Sequence, residues 1–297
     1  MISNENRAVV SASLAVLSWS TVATAFKLAL QHLTHFELLL IASCTSLFIF
    51  IILVTFQRKW IPLVQLFKRR WMYYAILGLL NPVAYYLVLF KSYSLLPAQV
   101  AQPINYMWPI LLTLLLALFS HRSIPAFKYI GLVISLGGVV LISMGADMVG
   151  GARLPISGIM LAALSALLWA VYWMINDKGK SKADPILSLS ICFFFGSVYL
   201  VIAAIFTGAH TFTMQGLLSG MYVGCFEMSI PFVAFGYAIF KSNNTALINQ
   251  MCYLSPFLSL IFISIVLGEH IVMTTYIGLI LIVTGILFNK YIIKNEK

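Results

Sequence analysis

The chain has 297 residues, of which 62% are hydrophobic and 9% charged, with a mean hydropathy of +1.00. A soluble domain carries roughly 45–50% apolar and about 25% charged residues, so these few charges cannot cover a water-soluble globule and the bilayer must solvate much of the surface. The net charge of +10 comes from basic residues lying between apolar runs, with no basic face, which argues against a nucleic-acid partner and reads as topology signalling.

A helix needs ~20 mostly apolar residues to cross the hydrocarbon core. Such runs fall at about 8–30, 36–56, 72–95, 97–119, 127–146, 156–176, 186–208, 217–240, 244–267 and 275–293. They are apolar all round, whereas membrane barrels alternate polar and apolar residues over ~10-residue segments. The expected fold class is all-α, a polytopic membrane protein of ten transmembrane helices. The first run follows Arg7 and contains Ala23-Thr24-Ala25, which imitates a cleaved signal peptide; the internal repeat described below requires this helix, so it reads as a retained span.

Polar and aromatic residues inside the runs mark candidate inner faces, because buried polar and small side chains sit between helices in lipid. The first run holds Trp19, Ser20, Thr24 and Lys27. The third has Asn81, Tyr85 and Ser92 on one face beside Pro82, with Lys91 expected to snorkel outward. On the fourth, Gln102, Asn105, Tyr106, Pro109 and Thr113 follow helical spacing, with Trp108 beside them. The sixth offers Ser165, Trp169, Tyr172, Trp173 and Asn176; the ninth repeats the stripe of the fourth with Asn249, Tyr253 and Pro256. Both stripes would meet a lumen if the halves are pseudo-symmetric, and Trp and Tyr walls suit apolar or aromatic groups or a cation over a ring face. The same residues could instead serve helix–helix hydrogen bonding and core filling.

Glu227 stands near the middle of the eighth run, with Pro231 one turn on. A carboxylate at the bilayer centre costs on the order of 2.5–3.5 kcal/mol on insertion scales, so it must face protein or water. Such residues bind cations or carry protons, the alternative being a structural glutamate bonded to a neighbour. Pro82, Pro109, Pro231 and Pro256 interrupt spans three, four, eight and nine. The expected substrate-binding set is thus Trp19, Tyr85, Gln102, Asn105, Tyr106, Trp108, Trp169, Trp173, Glu227, Asn249 and Tyr253. Catalytic and metal-binding sets and cofactors are expected to be absent: Cys44, Cys192, Cys225 and Cys252 lie singly in apolar runs, the five histidines are scattered at run ends, and no ATP-binding P-loop is present.

Placing the N-terminus in the cytoplasm puts fifteen Lys and Arg residues on that side and three (Lys27, Lys91, Arg153) on the other. This asymmetry favours both termini inside and an even number of spans. The chain also matches itself. At an offset of 147, Tyr106 falls on Tyr253, Pro109 on Pro256, Ile124 on Ile271, Tyr129-Ile130-Gly131-Leu132 on Tyr276-Ile277-Gly278-Leu279, and Gly138 on Gly285. At 150, Leu14, Leu17 and Trp19 fall on Leu164, Leu167 and Trp169. Two halves of five spans enter the membrane from opposite sides, the inverted architecture of transporters with a midplane site. The first repeat is expected over 1–146, the second over 156–297, and a linker over 147–155 within the Gly-rich stretch Gly145 to Pro155.

Trp19 in the first span, AQVAQPINYMWP (98–109) opening the fourth, YIGLVISLGGVVL (129–141) in the fifth and Leu267-Gly268-Glu269 closing the repeat copy resemble the EamA family of the drug/metabolite transporter superfamily. The resemblance covers nearly the whole chain. It departs at Ser120-His121-Arg122, where the family usually has Leu-Gly-Glu, and at Ala42-Ser43, where an Arg is frequent. It implies a ten-helix carrier of the bacterial inner membrane, exporting amino acids or related metabolites. The rivals are an uptake carrier for a nucleotide-like or other metabolite and a membrane-embedded enzyme. The enzyme would need an intramembrane catalytic cluster, whereas Asp147, Asp177 and Asp184 lie at span ends. The expected partners are a small-molecule substrate and the lipid bilayer; the oligomeric state is left open, a monomer included.

Overall fold

A computed structural model describes residues 4–119, 128–150, 154–178, 184–208 and 212–292. The matches and charges expected at Ser120-His121-Arg122, Ile124, Arg153, Lys180, Lys182, His210, Lys294 and Lys297 lie outside the described residues, as does 151–153 of the linker stretch. Among the described residues the regular elements are all helices. They are α1 (Asn4–Ala29), α2 (His35–Phe56), α3 (Trp60–Gly78), a π-helical turn (Leu79–Ala84), α4 (Tyr85–Leu95), α5 (Ala98–Asn105), α6 (Trp108–Phe119), α7 (Lys128–Gly150) and α8 (Ile156–Lys178). Then follow α9 (Pro185–Thr207), α10 (Met214–Phe226), α11 (Ile230–Lys241), α12 (Thr245–Met251), a 3-10 turn (Cys252–Leu254), α13 (Ser255–Leu267) and α14 (Met273–Ile292). Seven helical stretches among the described residues are long and apolar enough to cross a membrane, and two shorter apolar ones lie at Ile130–Ile142 and Met273–Phe288.

The prolines expected to interrupt spans do so, each beside a break. The fourth run divides into α5 and α6 at Tyr106–Met107, with Pro109 in the first turn of α6. The ninth divides at the 3-10 turn Cys252–Leu254. Tyr253 and Leu254 lie 147 positions beyond Tyr106 and Met107, so the two breaks share the offset of the sequence repeat. The third run breaks in the π-helical turn, where Asn81 has φ −140° and ψ 114° next to Pro82. The eighth breaks between Phe226 and Ile230. A proline removes one helix donor and crowds the carbonyl four residues back, so each helix loses its ladder there.

The chain packs as two compact units, each drawing on both halves: Met1–Phe90 with Lys182–Phe262, and Lys91–Ser181 with Ile263–Lys297. In the first, α1 lies along α11, α10 along α2, and α9 along both α2 and α3. Gly216, Gly220 and Gly224 recur every fourth residue on α10, and a Cβ on them would meet Leu33, Ile41 and the Ala42 carbonyl within 2.8 Å. This stripe of small residues lets two backbones touch, the usual means of helix association in lipid. Its ends are tied as well. Thr34 and Glu37 form a reciprocal capping box on α2; Asp184 caps α9 and pairs with Lys59; Glu5 accepts from Ser242 Oγ at 2.7 Å and Asn243 N–H at 2.9 Å.

In the second unit α7 and α14 make the most extensive helix pair. Gly138 lies against Gly278 and Gly285 against Gly131, so positions rise on one helix as they fall on the other and the two run antiparallel. At the centre Ser135 Oγ donates to the Ile282 carbonyl at 3.1 Å, and these two residues are themselves 147 apart. Residue i thus meets the repeat equivalent of j while j meets that of i, the signature of a two-fold contact. α5 and α6 pack on α8 in the same unit.

Candidate functional site

In the first unit the break between α10 and α11 is built to persist. Ser229 leaves the helical path at φ −132° and ψ −72°, and Pro231 can give no amide hydrogen to the Glu227 carbonyl. The carbonyls released upstream find hydroxyls instead: Gly224 O accepts from Ser46 Oγ at 2.9 Å and Ser229 Oγ at 2.8 Å, and Cys225 O accepts from Ser229 Oγ at 3.2 Å. Irregular backbone at membrane depth is tolerated only when re-satisfied in this way. The Gly224 approach to α2 brings Ser46 within reach.

Glu227 occupies this break at 8% exposure. Tyr86 Oη donates to its Oε1 at 3.1 Å, whereas its buried Oε2 makes no hydrogen bond to a described residue. Tyr86, on α4, is held by Tyr85 at 4.6 Å and Phe90 at 5.5 Å between ring centroids, and Phe90 packs edge-on to Phe26 at 4.8 Å. One carboxyl oxygen is therefore fixed by a phenol in an aromatic wall, and the other is available to a proton or a cation. Across the fold, α9 closes on the other break, since a Cβ at Gly196 would sit 2.6 Å from the Pro82 ring.

The expected third-span face was Asn81, Tyr85 and Ser92, and Tyr85 is buried beside the site. The residue bonding Glu227 is its neighbour Tyr86. Counting by fours assumes an unbroken α-helix; the π-helical turn before Tyr85 rotates everything after it. The proline in that run was the available signal. Trp19 lies in the α1–α11 seam, edge-on to Phe232 and Phe235 at 5.6 Å each. Asn249 is exposed on α12 and Tyr253 half-buried in the 3-10 turn.

The second unit gathers a separate aromatic cluster. Trp108 on α6 meets Trp169 and Trp173 on α8 at 6.4 and 6.3 Å, and Trp169 is 6.0 Å from Trp173. Trp108 and Trp173 are within 20° of parallel, and Trp169 stands nearly perpendicular to both while stacking on Tyr172 at 5.3 Å. Three indoles at mutual right and parallel angles make a corner of π faces, suited to an aromatic or cationic group. Trp169 is 8% exposed and Trp173 39%, so the cluster is buried on one side and open on the other.

On the adjoining α5, Asn105 Nδ2 donates to Ser165 Oγ at 2.8 Å, a helix–helix bond of the kind expected as its structural role. Gln102 is 3% exposed, and its Oε1 makes no hydrogen bond to a described residue. Tyr106, half-buried, marks the break itself. Glu269, quoted above only as part of a motif, caps α5: its two oxygens accept from the Ala98 and Gln99 N–H groups at 3.0 and 3.3 Å. Gln99 in turn donates to the His270 carbonyl and accepts from Thr275 Oγ1, each at 3.2 Å. A carboxylate at a helix N-terminus satisfies orphan donors and opposes the dipole, so this loop fixes where the Gln102 face begins. Of the candidates, Tyr85 and Glu227 both flank Tyr86 in one unit, and Trp108, Trp169 and Trp173 meet in the other.

The sequence matches the EamA-like transporter family over residues 6–144 and again over 156–291. It is 28% identical over 222 residues to the uncharacterized transporter YvbV of Bacillus subtilis (strain 168), a match covering 74% of this chain and 72% of that protein. It is 25% identical to the uncharacterized transporter YdfC of the same organism, covering 94% of this chain and 90% of that one. An uncharacterized transporter of Archaeoglobus fulgidus is likewise 25% identical, with 92% and 95% covered. A solved crystal structure of a protein shares the fold over 98% of both chains, with a TM-score of 0.68 at 20% identity. With both family matches together spanning nearly the whole length, the chain belongs to the EamA-like transporter family.

Proposed function

We propose that this chain is a small-molecule carrier working by alternating access, exporting amino acids or related metabolites across a bacterial inner membrane. The observation that carries this reading is the buried Glu227 at a helix break, with one oxygen held by Tyr86 and the other open. A buried carboxyl with one oxygen unpaired can take a proton or a cation, and broken helices at membrane depth are where transporters bind substrates and coupling ions. The amino-acid class and the export direction follow from the family resemblance. The π-faced corner of Trp108, Trp169 and Trp173 adds a surface for an apolar, aromatic or cationic moiety.

The proposed architecture is ten spans in two inverted repeats, 1–146 and 156–297, joined by 147–155, with both termini cytoplasmic. The antiparallel crossing of α7 and α14, equivalent helices of the two repeats, supports the inversion. Within each unit the helix ends that touch belong to one side in this scheme: Glu5 with Asn243, Lys59 with Asp184, Gly216 with Leu33, and Ala98 with Glu269. Reporter fusions after residue 70 and at residue 297 should report cytoplasm and one near residue 150 the outside; a cytoplasmic signal at 150 overturns the orientation. For the substrate, cells overproducing the protein should gain resistance to particular amino acids or analogues in a growth-inhibition panel. Labelled flux in oriented vesicles should then run outward. Inward flux of a nucleotide-like metabolite, or resistance to no member of the panel, would displace this reading.

A further inference from the structure

The first turns of α3 stand apart from the rest of that helix. Arg70 leaves the helical region at φ −140° and ψ 24°, which separates the segment of residues 60–69 from the buried segment that begins near Tyr74. At 100° per residue Trp60, Leu63, Val64 and Phe67 share one face, with Gln65 and Arg69 opposite and Ile61 and Lys68 at the margin; Trp71 follows beyond the kink. Phe67 fastens that face to α9, stacked on Phe195 at 5.6 Å, but Trp60, Val64 and Trp71 remain 45%, 48% and 49% exposed. Exposed Trp60 on the apolar side and Arg69 opposite it match a helix lying in the membrane interface.

At the kink, Lys68, Arg69, Arg70, Trp71, Met72 and Tyr73 line a recess of about 300 Å³. The described carboxylates of this unit are engaged elsewhere: Glu5 with Asn243, Glu37 with Thr34, Asp184 with Lys59, and Glu227 with Tyr86. None of them pairs with Lys68, Arg69 or Arg70. Three successive cations beside a recess are free to take an anion from outside the chain, and next to a bilayer the abundant one is a lipid phosphate. We propose that this recess binds the headgroup of an anionic phospholipid, with Lys68, Arg69 and Arg70 on the phosphate and Trp60 and Trp71 along the acyl boundary.

The test is native mass spectrometry of the purified full chain titrated with dioleoylphosphatidylglycerol, with dioleoylphosphatidylcholine and inorganic phosphate as comparison ligands. A tight phosphatidylglycerol adduct should weaken on the order of 100-fold in Lys68→Gln/Arg69→Gln/Arg70→Gln, taking about fivefold for each cation near an anionic surface. Arg69→Gln alone, at an exposed position, should lose about fivefold and guards against misfolding of the triple variant. Arg69→Lys/Arg70→Lys should keep the adduct. Equal binding of phosphatidylcholine, an unchanged adduct in the Gln variants, or displacement of the lipid by millimolar phosphate would each overturn the proposal, the last by making this a free-phosphate site.

Discussion

Gly138→Ala would place a methyl 2.5 Å from the Gly278 carbonyl oxygen and 3.0 Å from Ile282 Cγ1, at the crossing of α7 and α14. Neither obstacle is the tip of a flexible side chain, so α7 and α14 must part by on the order of 1 Å. That movement stretches the Ser135–Ile282 bond, now 3.1 Å, and opens the helix pair on both sides of it. Overpacking of this kind costs about 1–3 kcal/mol. Gly285→Ala should cost a similar amount, because its Cβ would meet the Gly131 carbonyl and Ser135 across the same two-fold. Gly137 supplies the control: nothing lies within 4 Å of its Cβ position, and alanine there should gain roughly 0.5–1 kcal/mol from reduced backbone entropy. The assay is the midpoint of heat-induced aggregation of the detergent-purified protein, followed by size-exclusion chromatography. The Gly138 and Gly285 variants should fall below the wild type and the Gly137 variant should match or exceed it. A Gly137→Ala loss equal to that of Gly138→Ala would refute the crossing.

Two further expectations concern the site. Trp169→Ala removes the indole shared by Trp108, Trp173 and Tyr172 and should reduce transport more than expression, with Trp19→Ala behaving alike; normal flux in both well-expressed variants would assign them to packing. Glu269→Ala leaves the first two amides of α5 without their acceptor and should lower the same thermal midpoint by the equivalent of about 0.5–2 kcal/mol. Glu269→Gln, which can still accept, should recover part of that loss, and equal losses in both would argue against a capping role.

Much of this was legible in the residues themselves. Runs of ~20 apolar residues announce membrane helices whatever their neighbours do, and Pro82, Pro109, Pro231 and Pro256 mark breaks because a missing amide acts locally. Glu227 could be singled out for the same reason, since a carboxyl in an apolar run is costly wherever it lands. Its partner could not. Tyr86 rather than Tyr85 reaches it because the π-helical turn resets the helical phase, and phase across a break is set by tertiary packing against α9. The tryptophans of the sixth span were visible as lining candidates, but their right-angled grouping with Trp108 depends on how α6 meets α8. Residues 57–71 fall between two apolar runs and carry basic residues in the sequence; the amphipathic face of 60–69 emerges only once the backbone is helical. Glu269 is similar: a loop carboxylate finds the α5 amides through 170 residues of chain separation, which no local pattern encodes.

The most direct test of the central claim is flux through the purified protein in proteoliposomes, wild type against Glu227→Gln, across a range of pH with the substrate found in the resistance panel. Glutamine keeps the shape of the side chain and can still accept from Tyr86, but it can neither ionise nor carry a proton. If Glu227 couples transport to protons or balances a cationic substrate group, the variant should insert and purify normally, lose most net flux, and lose the pH dependence that the wild type shows. Near-normal flux with an unchanged pH profile would contradict the account and leave Glu227 a structural residue bonded to Tyr86.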